Sequence, residues 1–416
     1  MSGSTAVVVS ADAHIGPRVE QDLRPLVPRG YLDDFDAWRR SGVSGFKVAP
    51  GSGGKARQAR RNLSTAGHYD VATRLRDMDG DGVAAEVVYH DSTNGELMPF
   101  QGNGLLYDFT KLDFELLAVG YDVYNRWLGA ALGEHEPERH AGLAYLPLWD
   151  VDAAVPALEK ARELGLRAVN FPAPRPGLPE YDDPQWEPFY VACASLGMPL
   201  CTHAGGAPIA SDGGAHGGAL RMLEIAGWPA RRAMHRMVLG GVFERHPNLK
   251  LVFTEITGGW WASTMRELDS AWAVYESVLT DQCPRPPSAY CQTNVFLGMS
   301  FPAPFETAEA VRDGFIGNVM WGSDYPHPEG TWQLPDETTT STTHESLRYA
   351  AAALSARDAA AFVGDTACRV FGLDRAKLRA VAERIAAPTV EDIATPLPEL
   401  PHRDYSLAFR TQGPWA

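Results

Sequence analysis

No apolar run in this sequence approaches the roughly 18 residues that a membrane-spanning helix needs. The opening residues, MSGSTAVVVSADAH, carry no basic segment ahead of an apolar one, so nothing argues for export. Cysteine is sparse. Five are scattered along the chain, an odd number that fits reduced cytoplasmic thiols rather than a disulfide framework, with no cluster for an iron–sulfur centre. Positive charge is also in deficit: 37 Lys and Arg against 52 Asp and Glu leave a net charge of −15. That balance argues against nucleic acid as the main partner, because phosphate binding needs a basic face. No G-x-G-x-x-G follows a strand-like run, so no nicotinamide or flavin fingerprint is present. No repeat or low-complexity tract is visible.

What is there is an ordinary globular composition, 45% hydrophobic and 21% charged, in 416 residues. That length suits one large barrel with insertions, or two domains. Short Val/Ile/Leu-rich runs bounded by Gly, Pro or polar clusters predict strands over Ala6–Asp12, Val83–Tyr89, Gly142–Leu148 and Leu166–Phe171. Four more are predicted over Met198–Thr202, Leu249–Thr254, Gln292–Leu297 and Gly317–Trp321. Helix-period segments separate them: Tyr69–Met78, Phe109–Leu132, Val151–Leu164, Gln185–Leu196, Ala230–Glu244, Trp260–Val278 and Pro304–Asp313. This alternation predicts an α/β chain folded as a (β/α)8 TIM barrel over residues 1–386. The barrel is expected to carry a long insertion, 17–67, a glycine-rich loop after strand five, and helices at 343–354 and 356–371. The tail, 387–416, is expected to pack on the barrel or on a neighbouring subunit, because Trp415 and the region of Phe409 are apolar.

In such a barrel the active site lies at the C-terminal strand ends. Strand one ends in Asp12-Ala13-His14, strand two in His90-Asp91, strand five in His203, strand six in Glu255 and strand eight in Asp324. Period-two alternation puts Asp12 and His14 on one side of strand one. A single such residue is usually a cap or a satisfied polar group. Together, three carboxylates at one mouth without a cation would cost several kcal/mol in repulsion and desolvation. Asp12, His14, His90, His203, Glu255 and Asp324 are therefore the candidate metal ligands. Glu255, His235 and His327 are candidates for moving protons. Trp149, Phe171, Tyr325 and Trp332 lie at or beyond strand ends, where they would line an apolar pocket or belong to the core.

SADAH, CTHAGG, GVFERHPNLKLVFTE and MWGSDYPHPEGTW resemble the amidohydrolase superfamily, in its amidohydrolase-2 branch of metal-dependent decarboxylases and hydrolases. The resemblance covers roughly Val7 to Phe371 and implies a (β/α)8 barrel with metal held by strands one, five and eight. The sequence departs from the family pattern in four places. Asp12 stands where strand one commonly has His, Glu255 stands where strand six commonly ends in His, strand four (RAVNFPAP) has no lysine for carbamylation, and His90 replaces a usual neighbourhood of proline.

This carboxylate-rich, thiolate-free set suits iron or manganese as well as zinc. It is similar to that of a small branch of non-haem dinuclear iron monooxygenases that act on diterpenoid acyl-CoA in platensimycin and platencin biosynthesis. That resemblance implies an oxidoreductase of antibiotic biosynthesis holding two iron ions. It would hydroxylate an unactivated C–H bond with molecular oxygen and an external reductase. The segment GSGGKARQARRNL, with Lys55, Arg57, Arg60 and Arg61, is the basic cluster that a coenzyme A carrier would need, or a solvated loop without a ligand. Tyr325 and Trp332 complete the expected substrate-binding group. The alternative is a single-metal hydrolase or non-oxidative decarboxylase with one Zn or Mn, in which Glu255 or Asp324 moves protons. A third is a barrel that has lost catalysis and serves as a binding subunit. A homodimer in the cytoplasm is expected from likeness to the branch.

Overall fold

The computed structural model describes residues 4–42, 60–102, 108–205, 220, 223–224, 226–256, 258–335, 341–400 and 407–411. Eight parallel strands follow one another in sheet order: β1 Val9–Ile15, β2 Ala85–His90, β3 His140–Ala144, β4 Ala168–Asn170, β5 Leu200–His203, β6 Leu251–Thr254, β7 Val295–Ser300 and β8 Val319–Gly322. The sheet closes where Ala13 bridges Tyr325 in parallel, with Asp324 N–H donating to the Asp12 carbonyl (2.9 Å) and His14 N–H to the Tyr325 carbonyl (2.6 Å). The fold is thus the expected α/β barrel. All eight strands fall within a few residues of their predicted places, most of them starting later because their first apolar residues belong to the turn below the barrel.

The helices pack outside, Val71–Gly80, Phe114–Glu134, Val151–Glu163, Glu187–Leu196, Trp228–Leu239, Trp261–Leu279 and Pro304–Arg312. Several start on Asp side-chain caps: Asp70 accepts from Thr73 N–H, Asp113 from Glu115 and Leu116 N–H, and Asp150 from Ala153 N–H. Each cap satisfies donors that the first helical turn leaves free. The period of two sorts the strand residues. One face, with Val9, Ala11, Ala85, Val87, Tyr89, Cys201, Val252, Phe296 and Met320, fills the barrel interior, and the other meets the helices. The segment after β8 returns to the lower end, where Ala6 N–H donates to the Pro388 carbonyl (2.9 Å) and Val390 N–H to the Ser4 carbonyl (2.9 Å). Near the mouth, Arg410 pairs with Glu306 at 2.6 Å and donates to the Phe301 carbonyl at 3.0 Å. Among the described residues no helix is long and apolar enough to cross a membrane.

A buried charge network ties the helix Val71–Gly80 to β1 and β2. Arg74 is fully buried and grips both oxygens of Glu86, while its Nη1 donates to the His14 carbonyl at 2.6 Å. His140 Nδ1 lies 2.9 Å from Glu86 Oε1. Burial pushes the Glu86 carboxyl up, but the Arg74 guanidinium outweighs it and brings the group to about 2. Removing the guanidinium would leave an uncompensated buried carboxylate beneath the mouth, which typically costs about 3–5 kcal/mol. Arg74→Met is expected to lower the unfolding free energy by that amount in chemical denaturation, and Arg74→Met with Glu86→Leu to recover part of it. A loss below about 1 kcal/mol in the single variant would contradict the role given to this pair.

Candidate metal centre

Strand ends deliver the site because the chain turns sharply as it leaves each strand. Glu255 and Asp324, the residues just beyond the ends of β6 and β8, both have φ of 57°, the left-handed conformation that non-glycine residues rarely take. Such strain costs on the order of 1–3 kcal/mol per residue and concentrates at functional sites. It aims both carboxylates into the barrel mouth instead of along the strand.

Around His14 Nε2 stand Asp12 Oδ1 at 3.2 Å and Asp324 Oδ1 at 3.3 Å, and His203 Nε2 lies 3.3 Å from the same Asp12 oxygen. Asp12 and Asp324 are fully buried and His14 nearly so. The tautomers follow from the outer partners. His14 Nδ1 lies 2.9 Å from the His90 carbonyl and His203 Nδ1 lies 3.0 Å from the Ala204 carbonyl. A carbonyl only accepts, so both Nδ1 atoms carry the proton and both Nε2 atoms point lone pairs at the carboxylates. Lone pairs facing one another in a buried site need protons or a cation between them. Burial pushes the His14 imidazole down, but Asp12 and Asp324 outweigh it and hold it well above the usual histidine range. Burial likewise pushes the Asp12 carboxyl up, and the His203 and His14 rings overcome that and hold it well below the carboxylate range. Among the described residues Asp324 Oδ2 has no hydrogen-bond partner, and Asp324 Oδ1 meets only the His14 and His327 rings. Ligand atoms about 2.1 Å from one ion and at right angles around it lie about 3 Å apart, the spacing seen here. The chemistry of Asp12, His14, His203 and Asp324 thus suits a divalent metal, with His14 shared by the two triads whose spacings could hold one.

His327 stands next to this cluster. Its ring stacks on His14 with centroids 4.0 Å apart, its Nδ1 is 2.9 Å from Asp324 Oδ1 and its Nε2 2.8 Å from the Asp91 carbonyl. Burial pushes it down, but Asp324 prevails and brings it to about 9. Among the described residues, two groups have spacings suited to a metal: Asp12, His14 and His203, and His14, Asp324 and His327. Glu255 belongs to neither. Its Oε2 is 3.7 Å from His203 Nδ1, while Asp12 meets Nε2 of the same ring. Burial, then the charge of Asp324, pushes the Glu255 carboxyl up to about 8.

The structure places the other expected site residues elsewhere. His90 follows the inward-facing Tyr89, so alternation turns its ring outward against Tyr124 and Tyr145, at 5.2 and 6.2 Å, and burial pushes it down to about 4. Only its carbonyl serves the site. His235 lies on the helix Trp228–Leu239 with its Nδ1 on the Arg231 carbonyl at 3.1 Å and its ring against Trp228. Tyr325 and Trp332 pack on Ala13, which points away from Asp12 and His14, and the Tyr325 hydroxyl donates to Asp77 at 2.7 Å. Phe171 is core, stacked on Tyr181, while Trp149 stacks on Phe114. Arg61 donates to the Leu334 carbonyl and Arg60 is exposed. Lys55, Arg57 and Trp415 lie outside the described residues. Sequence reasoning missed the serines around Asp12: Ser10, whose Oγ donates to the Asp12 carbonyl at 2.6 Å, Ser323, and Ser300. Ser300 was concealed because the predicted seventh strand stops at Leu297, three residues short of the observed end.

A barrel whose strand-end His and Asp groups are spaced for a divalent ion defines a metal-centre class, and comparison with known proteins narrows it. The Amidohydrolase family model of the amidohydrolase-2 branch matches residues 103–373, more than half of the chain, so this chain belongs to that family. Among curated proteins it is similar to 2-amino-3-carboxymuconate-6-semialdehyde decarboxylase of Dictyostelium discoideum, 26% identical over 211 residues that make up 48% of this chain and 55% of that protein. The chain thus spans about half the length of the curated relative it matches. Solved structures of the same fold include 5-carboxyvanillate decarboxylase from Sphingomonas paucimobilis, with 19% identity, TM-score 0.58 and coverage of 89% of this chain and 100% of that one. Another is a dihydroxybenzoic acid decarboxylase from Polaromonas sp. JS666 with bound manganese, with 18% identity, TM-score 0.60 and coverage of 90% and 99%.

These findings correct the expected chemistry. The relatives are decarboxylases, lyases rather than oxidoreductases, so the reading as a dinuclear iron monooxygenase of antibiotic biosynthesis, with two irons, molecular oxygen and an external reductase, is set aside. The geometry supplies a reason. The ligand role expected of Glu255 requires it among the other donors, and it stands at His203 Nδ1, on the ring edge away from Asp12.

Metal analysis checks the ligand set. Purified protein is expected to hold about one divalent ion per chain. His14→Ala or Asp324→Ala is expected to lose most of it, and Glu255→Gln to keep it. Retention of the ion in both alanine variants would contradict the set.

Proposed function

We propose that this chain is a single-metal, non-oxidative decarboxylase of a small unsaturated or aromatic carboxylic acid, with manganese or zinc held by Asp12, His14, His203 and Asp324. The observation that carries the reading is the position of Glu255, a part-exposed carboxyl at the edge of this donor cluster that belongs to neither metal-spaced group. When bound, the metal would neutralise the facing carboxylates and polarise a substrate oxygen.

Decarboxylation leaves the electron pair of the broken C–C bond on carbon, which must then be protonated as carbon dioxide departs. Glu255 suits that task. Its side chain is 21% exposed at the barrel mouth, and burial with the charge of Asp324 pushes its carboxyl up to about 8, toward the form that has a proton to give. Its proton forms the new C–H bond, and the resulting carboxylate recovers one from water. The similarity to decarboxylases favours this chemistry over the hydrolase reading. His327, held at both ring nitrogens, fixes the Asp324 carboxylate.

Release of carbon dioxide from a panel of dihydroxybenzoates and 5-carboxyvanillate, with deuterium entering the product from D2O at the vacated carbon, is the direct assay. Oxygen-dependent turnover, or a product formed without loss of carbon dioxide, would overturn the proposal. Glu255→Gln is expected to lower kcat by about 10²-fold or more with metal content unchanged. The pH dependence has a definite sign. Glu255 must be protonated to act, so kcat is expected to fall as pH rises through its pKa, at about 8 without a cation and lower beside one. The Glu255→Gln residual should lack that limb.

A further inference from the structure

We propose that Ser300 is a positioning residue for the metal. By occupying Oδ2 of Asp12, its hydroxyl makes that carboxylate a one-oxygen ligand. The inference rests on the metal reading above and is independent of which reaction the site performs.

An imidazole nitrogen offers a metal one lone pair in one direction, whereas a carboxylate offers two oxygens and rotates about its Cβ–Cγ bond. Asp12 is fully buried, so an oxygen not taken by the metal needs another partner. Oδ1 faces His14 Nε2 at 3.2 Å and His203 Nε2 at 3.3 Å, while Oδ2 receives the Ser300 hydroxyl. The two oxygens are thereby divided between the centre and its wall.

Everything else about Asp12 is already fixed, which leaves that rotation as its remaining freedom. Its carbonyl accepts from Ser10 Oγ at 2.6 Å, from Ser323 Oγ at 3.3 Å and from Asp324 N–H at 2.9 Å. Gly322 passes so close that a Cβ there would meet Asp12 Cβ at 2.7 Å. Ser300 is held equally well. It is the last residue of β7, in register with Gly322, and the following Phe301 N–H donates to the Gly322 carbonyl at 3.0 Å. The Phe301 carbonyl in turn accepts from the buried Arg410 of the C-terminal segment at 3.0 Å. The hydroxyl therefore cannot drift with the mouth loops.

The consequence is a preference among ions. Calcium takes 6–8 oxygen ligands and favours two-oxygen carboxylates, whereas manganese and zinc accept compact mixed nitrogen–oxygen sets. Restricting Asp12 to Oδ1 holds the oxygen count down and disfavours the larger ion.

Full-length protein stripped of metal and titrated calorimetrically with Mn²⁺ and with Ca²⁺ tests this without any substrate. Ser300→Ala is expected to weaken Mn²⁺ binding about tenfold or more, the usual effect of losing a partner behind a ligand, and to narrow the preference for Mn²⁺ over Ca²⁺. Ser300→Thr, which keeps the hydroxyl, should restore most of both. Ser346→Ala removes an equally buried serine from the helix Thr343–Ala350 and should leave both affinities unchanged. Should Ser300→Ala not fold, Ser300→Cys, with its weaker donor, is expected to fall between wild type and the loss described. A Ser300→Ala affinity within twofold of wild type, with the preference intact, overturns the inference. Failure of the wild-type protein to bind Mn²⁺ instead sinks the metal reading beneath it.

Discussion

Three buried donor groups, Asp12, His14 and Asp324, and the part-buried His203 converge at one mouth, and the rest of the mouth is arranged around that constraint. In a dry site such a gathering is costly unless positive charge sits in the middle. The barrel enforces it through main-chain hydrogen bonds, not side-chain choice alone. Asp324 N–H on the Asp12 carbonyl and His14 N–H on the Tyr325 carbonyl lock the first and last strands in register, so the two carboxylates and His14 cannot separate without opening the barrel. Backbone carbonyls behind His14 and His203 then settle which nitrogen faces inward. A metal must displace the protons that its ligand atoms would otherwise bind, which couples affinity to pH.

Below this centre a second charged layer works differently. Arg74 and His140 both bind the Glu86 carboxylate, and Arg74 also holds the His14 carbonyl. One layer is closed and structural, the other open and short of positive charge. That contrast separates scaffold from site more clearly than burial does, since both are buried. Glu255 sits between the two regimes. Burial and the charge of Asp324 push its carboxyl up, and it is exposed enough to reach a substrate.

Much of this was legible in the sequence because barrel geometry converts strand order into spatial convergence. Asp12, His14, His203 and Asp324 were recognisable as a group from their positions at strand ends, and the structure brings their ligand atoms together. His90 was not separable from them, because a shift of one residue in strand phase decides which face a side chain takes. The Asp12 serines escaped for a related reason. Ser300 lies at a strand end that hydrophobic patterning placed three residues too early, and Ser10 and Ser323 act through the backbone, which leaves no pattern in a sequence. The chemistry was harder still. Carboxylates in place of histidines read equally as ligands for a second ion and as a proton donor beside one. Only the position of Glu255 on the outer edge of His203, together with relatives that decarboxylate, separates the two.

The central claim is that one ion is shared by strands one, five and eight. The most direct measurement is a crystal structure of protein loaded with Mn²⁺, with the ion located by its anomalous scattering. The account predicts a single strong peak about 2.0–2.3 Å from Asp12 Oδ1, His14 Nε2, His203 Nε2 and an Asp324 oxygen, with Glu255 outside the coordination sphere. Two peaks bridged by Glu255, or a peak that leaves Asp12 and Asp324 uncoordinated, would contradict it.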